Sequence, residues 1–310
     1  MKVVMLAAGR SRRMQPVEDK NFLNFLGKPL IQHQLEMLKK AGFDDVIVVG
    51  GKHNLDRIKN LMKILKIKIS VREQKNLEDG MCGAVLAAKN LIGKEPVMVM
   101  SSNDIVDVKA FKLILDAAKK GRADSYFLGK KVTEYLPGGN LETDNRGYIR
   151  NIVEKPKPGT EPSNLINLVV HIHKNPARLI KYLEKVQSSK DDRYEQALLE
   201  MIKAGAKMKA VVYDGCWQPL KFPWHVYNVF KYLFGPAGKK IAKTARISKN
   251  AVINGDVIIG ENVRIFDGAV VNGPCYIGDG SIIATNALVR DSNIGKNCVI
   301  GFGTEVARSY

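Results

Sequence analysis

The chain has 310 residues, 45% of them hydrophobic and 26% charged, with a formal net charge of +18. This excludes a disordered or fibrous chain and leaves room for two domains with sizeable cores. The cysteines at 82, 216, 275 and 298 lack paired spacing, which fits a reducing, cytoplasmic setting without a zinc site. No apolar stretch reaches membrane length, and Met1–Ala8 is too short for a signal or a span. Lys2–Ala8 therefore reads as a buried strand, followed by a Gly/Arg/Ser loop at Gly9–Arg13. A helix is expected over Pro29–Ala41, with Leu30, Ile31, Gln34, Leu35 and Leu38 near one face and Gly42 as its stop. Strands follow at Asp45–Gly50 and Ile67–Val71 around a helix at Leu55–Leu65. A helix at Gly83–Leu91 leads to a strand at Pro96–Met100. Val108–Lys120, capped by Asp107, precedes a strand at Asp124–Leu128. This alternation predicts a Rossmann-like, mostly parallel sheet in an α/β domain, with ligands beyond the carboxyl ends of its strands.

The rest of the first domain is turn-rich at Tyr135–Gly139 and Asn145–Gly147. Strands are expected at Tyr148–Val153, Leu165–Ile172 and Val211–Tyr213, and helices at Tyr182–Val186 and Tyr194–Ala204. From Ile247 the period changes. Aliphatic residues recur six apart at Ile247, Ile253, Ile259, Ile265, Val271, Ile277, Ile283 and Val289. One step shortens to five at Ile294, and the count resumes at Ile300 and Val306. This is a hexapeptide repeat, the mark of a parallel β-helix in which each turn supplies its neighbour's core. The expected division is 1–235, a basic linker at 236–244 and a coil at 245–310. No capping helix follows the last turn, so the coil is expected to end against another subunit or to belong to a longer chain.

The chemical signals begin at Gly9, which can turn the chain close to a ligand. Arg10, Arg12 and Arg13 add planar guanidinium forks suited to phosphate. The loop lacks the Gly-Lys-Ser/Thr ending of a Walker motif. The stretch Leu6-Ala7-Ala8-Gly9-Arg10-Ser11-Arg12-Arg13-Met14-Gln15-Pro16 resembles the opening signature of the nucleoside-diphosphate-sugar pyrophosphorylases. Ser11 stands where that family usually has a second glycine, so the loop is expected to be more restricted. The resemblance makes Leu6, Ala8 and Gly9 nucleotide contacts and gives Arg13 and Lys20 to the triphosphate, although Asp19 replaces the usual proline before Lys20. Gly27-Lys28-Pro29-Leu30 matches the motif that starts the next helix, placing Pro29 in its first turn.

Further motifs keep the family's order. Gln74 and Gly80-Met81-Cys82-Gly83-Ala84 resemble its base-recognition loop. Asp104, beyond a buried strand, matches its magnesium ligand, in keeping with the preference of hard cations for carboxylate oxygen. Glu154-Lys155-Pro156 resembles a strong motif in which the glutamate meets sugar hydroxyls and the lysine meets the sugar phosphate. Gly139 and Asn167 match sugar-contacting positions. Gly215–Trp224 resembles the tryptophan segment, but Pro219 stands where many members carry a second metal-binding aspartate. Asp214 is a weaker substitute, and His225 is read as packed or on the surface rather than catalytic.

The resemblance implies a left-handed coil, frequent homo-oligomers including trimers, and magnesium-dependent transfer of a nucleotidyl group to a sugar 1-phosphate. The loop is closest to pyrimidine users, so UTP or dTTP is expected, with guanine and adenine left open. Glucose 1-phosphate or N-acetylglucosamine 1-phosphate is the expected acceptor, and the motifs do not separate these from mannose 1-phosphate. A further acetyltransferase activity in the coil is not expected, because its turns are too few. A binding-only regulatory or scaffold subunit is the alternative, favoured by Ser11 and Pro219. The scattered lysines, with few aromatics among them, do not favour a nucleic-acid groove, and no membrane partner is expected.

Overall fold

The structure is a computed structural model that describes residues 1–65, 67–188 and 191–310. It divides into two compact units: residues 1–12 with 34–217, and residues 13–33 with 218–310.

The first unit is built on a nine-stranded sheet. Its strands are β1 (Lys2–Leu6), β2 (Asp45–Gly50), β3 (Lys68–Glu73), β4 (Val97–Ser101), β5 (Ser125–Lys131), β6 (Gly139–Thr143), β7 (Ile149–Glu154), β8 (Leu165–His173) and β9 (Met208–Val212). The main order is β7-β6-β8-β4-β1-β2-β3, and β5 also pairs with β8 and β9. Strands β4, β1, β2 and β3 run parallel, with Val3 opposite both Val46 and Met98. Strand β8 runs antiparallel to β4, β5 and β6. The sheet is thus parallel on the nucleotide-signature side and mixed on the other.

Consecutive residues Val3, Val4 and Met5 are all fully buried, as are Val97–Met100, so both faces of the sheet are covered. The helices are α1 (Leu30–Lys40), α2 (Leu55–Ile64), α3 (Gly80–Ala87), α4 (Lys89–Ile92), α5 (Val108–Lys120), α6 (Pro176–Lys185) and α7 (Arg193–Lys203). Cys82, Val85, Leu179, Leu183, Tyr194 and Leu198 bring α3, α6 and α7 onto one face, against Val4, Ile47, Val97 and Val99. Asp107 caps α5 as expected, its Oδ1 accepting from the backbone N–H groups of Lys109 and Ala110 at 2.8 and 3.1 Å.

Several boundaries differ from the sequence reading, among them the following. Gly139 opens strand β6 rather than closing a turn-rich stretch, because Gly139–Thr143 pairs along β7. Helix α6 begins at Pro176, behind an Asn175 side chain that accepts from Arg178 N–H. Pro29 sits in a short hairpin, pairing with Asn24 one residue before α1 begins.

The second unit contains α8 (His225–Phe234) and the coil. Three four-stranded parallel sheets form the coil's faces. Ile241 lies opposite Ile259 and Ile259 opposite Ile277, so each turn takes eighteen residues. Ile277 then faces Ile294, Ile283 faces Ile300 and Val289 faces Val306. The shortened step therefore removes one residue from one turn while the aliphatic stack stays in line. Val257, Ile259, Ile265, Val271, Ile277, Ile283 and Val289 are at most 2% exposed and make up the core of this left-handed β-helix. Little space separates the turns, since a Cβ on Gly278 would lie 2.7 Å from the backbone of Gly295.

Candidate active site

The loops that follow β1, β2, β3 and β4 leave the carboxyl end of the parallel strands, where open α/β sheets bind ligands. Asn54 ties two of them together. Its Nδ2 donates to the carbonyl of Ala7 at 3.0 Å, and its Oδ1 accepts from Gly51 N–H at 3.1 Å. Beyond β1, the φ of Gly9 lies outside the left-handed region, and an added Cβ would meet nothing within 4 Å. The side of Gly9 is therefore open. Ser11 is the restricted residue. It adopts φ 52°, a conformation open to glycine without steric cost and carried here by a side chain. Arg10 and Arg12 both reach Glu78, at 2.6 and 3.2 Å. These exposed ion pairs connect the signature loop to the loop after β3.

In that loop Gln74 is 5% exposed. Its Nε2 donates to the carbonyls of Asn76 and Gly80, at 3.0 and 2.9 Å. The carboxamide nitrogen is thus engaged in shaping the turn, and none of the hydrogen bonds among the described residues is made to Oε1. Gly80 adopts φ +55°, a conformation strained for a residue with a side chain, and a Cβ there would lie 2.6 Å from Oδ1 of the exposed Asp191 side chain.

Beyond β4, Asp104 is 4% exposed and held from two directions. Trp217 Nε1 donates to Oδ1 of its carboxylate at 3.1 Å. Gln34 Nε2 donates to the carbonyls of Ser102 and Asp104 at 3.1 and 3.3 Å, fixing the backbone of the turn. The carboxylate's Oδ2 takes part in none of the hydrogen bonds among the described residues. A magnesium ion requires oxygen ligands and commonly keeps water and substrate phosphates around one or two carboxylates. One buried, oriented carboxylate fits that requirement. Among the described residues no group of three or more His, Cys, Asp or Glu side chains forms a metal cluster. Asp214 is exposed, and only its backbone carbonyl is engaged, by Lys130 Nζ at 3.3 Å. No hydrogen bond or ion pair joins its carboxylate to Asp104.

The residues expected on the acceptor side converge. Gly139 and Glu154 are paired across β6 and β7. A Cβ on Gly139 would lie 3.0 Å from Glu154 Oε2, 3.5 Å from Asn167 Cβ and 3.7 Å from Asn167 Nδ2. Lys155 follows at φ 48°, a strained conformation for a non-glycine residue, with its N–H on the Gly138 carbonyl at 3.0 Å. Its Nζ lies 3.3 Å from Glu154 Oε1 and 2.9 Å from Asp191 Oδ2. Burial lowers the pKa of this ammonium, but the Asp191 hydrogen bond and the Glu154 charge outweigh burial and hold it above the ordinary value. The Asp191 carboxylate thus lies against Lys155 Nζ and beside the place a Gly80 side chain would take. Glu195, 8% exposed, has its pKa raised to about 8 by burial and by the Glu154 charge, so it is protonated at neutral pH.

The second unit holds Arg13 and Lys20. The Arg13 guanidinium lies over the Phe222 ring, 5.1 Å from its centroid. Phe222 stacks on Trp224 at 4.5 Å. Asp19, where a proline is usual, caps the turn that carries Lys20 by accepting from Asn21 N–H at 2.9 Å. His225 is half-buried. Its Nδ1 accepts from Lys221 N–H at 3.1 Å, and partial burial followed by the Lys221 charge lowers its pKa.

Sequence reasoning missed Asp191, Glu195 and a buried polar chain behind Asn167. The available signal was His171 and His173, two residues apart on the Asn167 side of an otherwise apolar strand.

The family described as nucleotidyl transferase matches residues 2–220, and a GMPPB C-terminal domain matches residues 238–309. A bifunctional sugar-1-phosphate nucleotidylyltransferase/acetyltransferase of Sulfurisphaera tokodaii is 32% identical over 84% of this chain and 62% of its own length. A bifunctional protein GlmU of Methanocaldococcus jannaschii is 28% identical over 84% of this chain and 60% of its own. The chain thus spans about three fifths of the length of these relatives. A UTP–glucose-1-phosphate uridylyltransferase of Staphylococcus epidermidis is 31% identical over 53% of this chain and 68% of its own. Among solved structures, UDP-glucose pyrophosphorylase complexed with UDP-glucose superposes with a TM-score of 0.64 at 23% identity. It covers 75% of this chain and 98% of the other, a likeness of fold.

Proposed function

This chain belongs to the nucleotidyl transferase family, and from that premise we propose that it transfers a nucleotidyl group from UTP or dTTP to a sugar 1-phosphate, releasing pyrophosphate. Glucose 1-phosphate and N-acetylglucosamine 1-phosphate are the proposed acceptors. The observation that carries the reading is the convergence of Gly139, Glu154, Lys155 and Asn167 on one side of a unit that holds Asp104 beyond β4. The relatives' names support the class of reaction.

In the proposed step an oxygen of the sugar phosphate attacks the α-phosphorus, and the bond from that phosphorus to the β-phosphate oxygen breaks. The attacking oxygen is already ionised at neutral pH, so no general base is required. The protein must align two anions and offset their charge. Lys155 takes the sugar phosphate, Glu154 and Asn167 meet sugar hydroxyls, and the open side of Gly9 admits the nucleotide. Gln74 Oε1 favours a base with a ring N–H donor, as uracil and thymine have. Magnesium, when bound, would neutralise charge on the triphosphate, with Asp104 as its protein ligand. The assignment of Arg13 and Lys20 to the triphosphate rests on the opening signature alone. Residues 1–235 are proposed as the transferase domain, with homo-oligomers formed through the β-helix.

Ser11 and Pro219, where this chain departs from the family's pattern, favour a second reading, a subunit that binds nucleotide-sugars without turnover. Pyrophosphate release across a panel of nucleoside triphosphates and sugar 1-phosphates, with and without magnesium, separates the two. The enzyme reading predicts release with at least one uridine or thymidine pair. Nucleotide-sugar binding without release from any pair sinks it.

A further inference from the structure

Behind the acceptor side lies a chain of polar groups that the proposed chemistry does not use. Ser125, His171, His173 and Tyr194 are at most 1% exposed, and Asn167 is 8% exposed. Ser125 Oγ lies 2.9 Å from His173 Nδ1, and His173 Nε2 lies 3.0 Å from the Tyr194 hydroxyl. That hydroxyl lies 3.1 Å from His171 Nδ1, and His171 Nε2 lies 2.9 Å from Asn167 Oδ1.

With Asn167 Oδ1 turned toward His171, donor and acceptor capacity sets the direction of every bond. Asn167 Oδ1 has only lone pairs, so His171 Nε2 carries the hydrogen. Burial depresses both histidine pKa values, and a proton on either ring would repel one on the other, so both rings are neutral. The remaining nitrogen of His171 is therefore an acceptor and takes the single hydroxyl hydrogen of Tyr194. The tyrosine oxygen then accepts from His173 Nε2–H, and His173 Nδ1 accepts from Ser125 Oγ–H. One polarity satisfies all four bonds, running from Ser125 to Asn167.

We propose that Ser125, His173, Tyr194 and His171 form a one-way hydrogen-bond chain that fixes the Asn167 carboxamide, so that its Nδ2 presents a donor beside Gly139 and Glu154. Satisfying buried polar groups would need only that each has a partner. This chain does more, because it ends on the one side chain that emerges at the acceptor side. With Oδ1 pinned from behind, Asn167 offers N–H to an oxygen acceptor on the sugar, opposite the carboxylate acceptor of Glu154. His171 and Tyr194 are positioning residues, acting through Asn167. The inference rests on the proposed acceptor role of that residue.

The test has two readouts. Long-range proton–nitrogen correlation on the ¹⁵N-histidine-labelled free protein should find both buried rings as the Nε2–H tautomer. The Asn167 side-chain amide signal should move in His171→Met and hold its place in His171→Gln, whose amide N–H can reach the same oxygen. Neither measurement needs turnover, so they decide the chain even if the proposed reaction fails. In kinetics, His171→Met should raise KM for the sugar 1-phosphate about tenfold, the loss of one buried hydrogen bond, with KM for the nucleotide unchanged. His171→Gln should restore the parent value to within about threefold. Tyr194→Phe breaks the chain at its middle and serves if His171→Met does not fold. An Nδ1–H tautomer at His171, or KM values that rise equally for both substrates, overturns the proposal.

Discussion

The two neutral histidines give the first unit a defined weakness to acid. Burial holds His173 at a pKa of about 3, against an ordinary value of 6.5. A histidine depressed in the folded state is uncharged in both states above the unfolded pKa, so its effect is absent there. As the pH falls below 6.5 the unfolded chain binds a proton that the folded chain refuses, and stability is lost until the pH nears 3. At about 1.4 kcal/mol per pH unit, the loss between pH 7 and pH 5 is about 2 kcal/mol for His173 alone. His171 acts in the same direction. The perturbation that isolates the effect is His173→Gln, which keeps a donor toward Tyr194 and cannot titrate. Trp217 is in the first unit and Trp224 in the second, so a Trp224→Phe background leaves one fluorophore reporting the unit concerned. Urea unfolding in that background should show the parent losing about 2 kcal/mol more than His173→Gln between pH 7 and pH 5. Equal losses would mean that His173 charges freely in the folded protein, and the argument from burial would be refuted.

Other consequences can be measured directly. Ser11→Gly should raise stability by up to about 1 kcal/mol in thermal unfolding, since glycine adopts φ 52° without the steric cost of a side chain. In the coil, Gly278→Ala should destabilise strongly, because its Cβ would meet backbone at 2.7 Å. Gly295→Ala, whose Cβ meets only Cys298 Sγ at 3.5 Å, should be close to neutral in the same melting experiment. Glu195 titrates with the opposite sign to His173. Its raised pKa means the folded state holds a proton that the unfolded state releases, so stability falls as the pH rises from 4.5 to about 8. Glu195→Gln should therefore gain on the parent by up to about 1.4 kcal/mol per pH unit across that window in urea unfolding.

The coil was legible because its signal is periodic over many residues and survives one missing residue at Val289–Ile294. The parallel half of the sheet was legible for a similar reason, since buried strands and helices alternate there. Strand β8 was legible as a strand at Leu165–Ile172 but not in its direction, because antiparallel pairing with β4 depends on distant partners. Gly139, Glu154 and Asn167 were found from local motifs, and tertiary pairing brings them together. The polarity of the chain behind Asn167 was beyond sequence. It depends on Tyr194 arriving from α7 between two histidines of β8. The use of Gln74 Nε2 on two backbone carbonyls likewise depends on the fold of its loop.

The central claim is transfer of the nucleotidyl group itself, and position-specific labelling tests it most directly. The parent chain and Asp104→Ala are incubated with magnesium, a sugar 1-phosphate and UTP or dTTP labelled at the α- or γ-phosphorus. In the parent, the α label should pass into the nucleotide-sugar and the γ label into pyrophosphate, and Asp104→Ala should abolish both. An α label that remains in the triphosphate or ends in free nucleoside monophosphate, or a variant that transfers as well as the parent, would contradict the account.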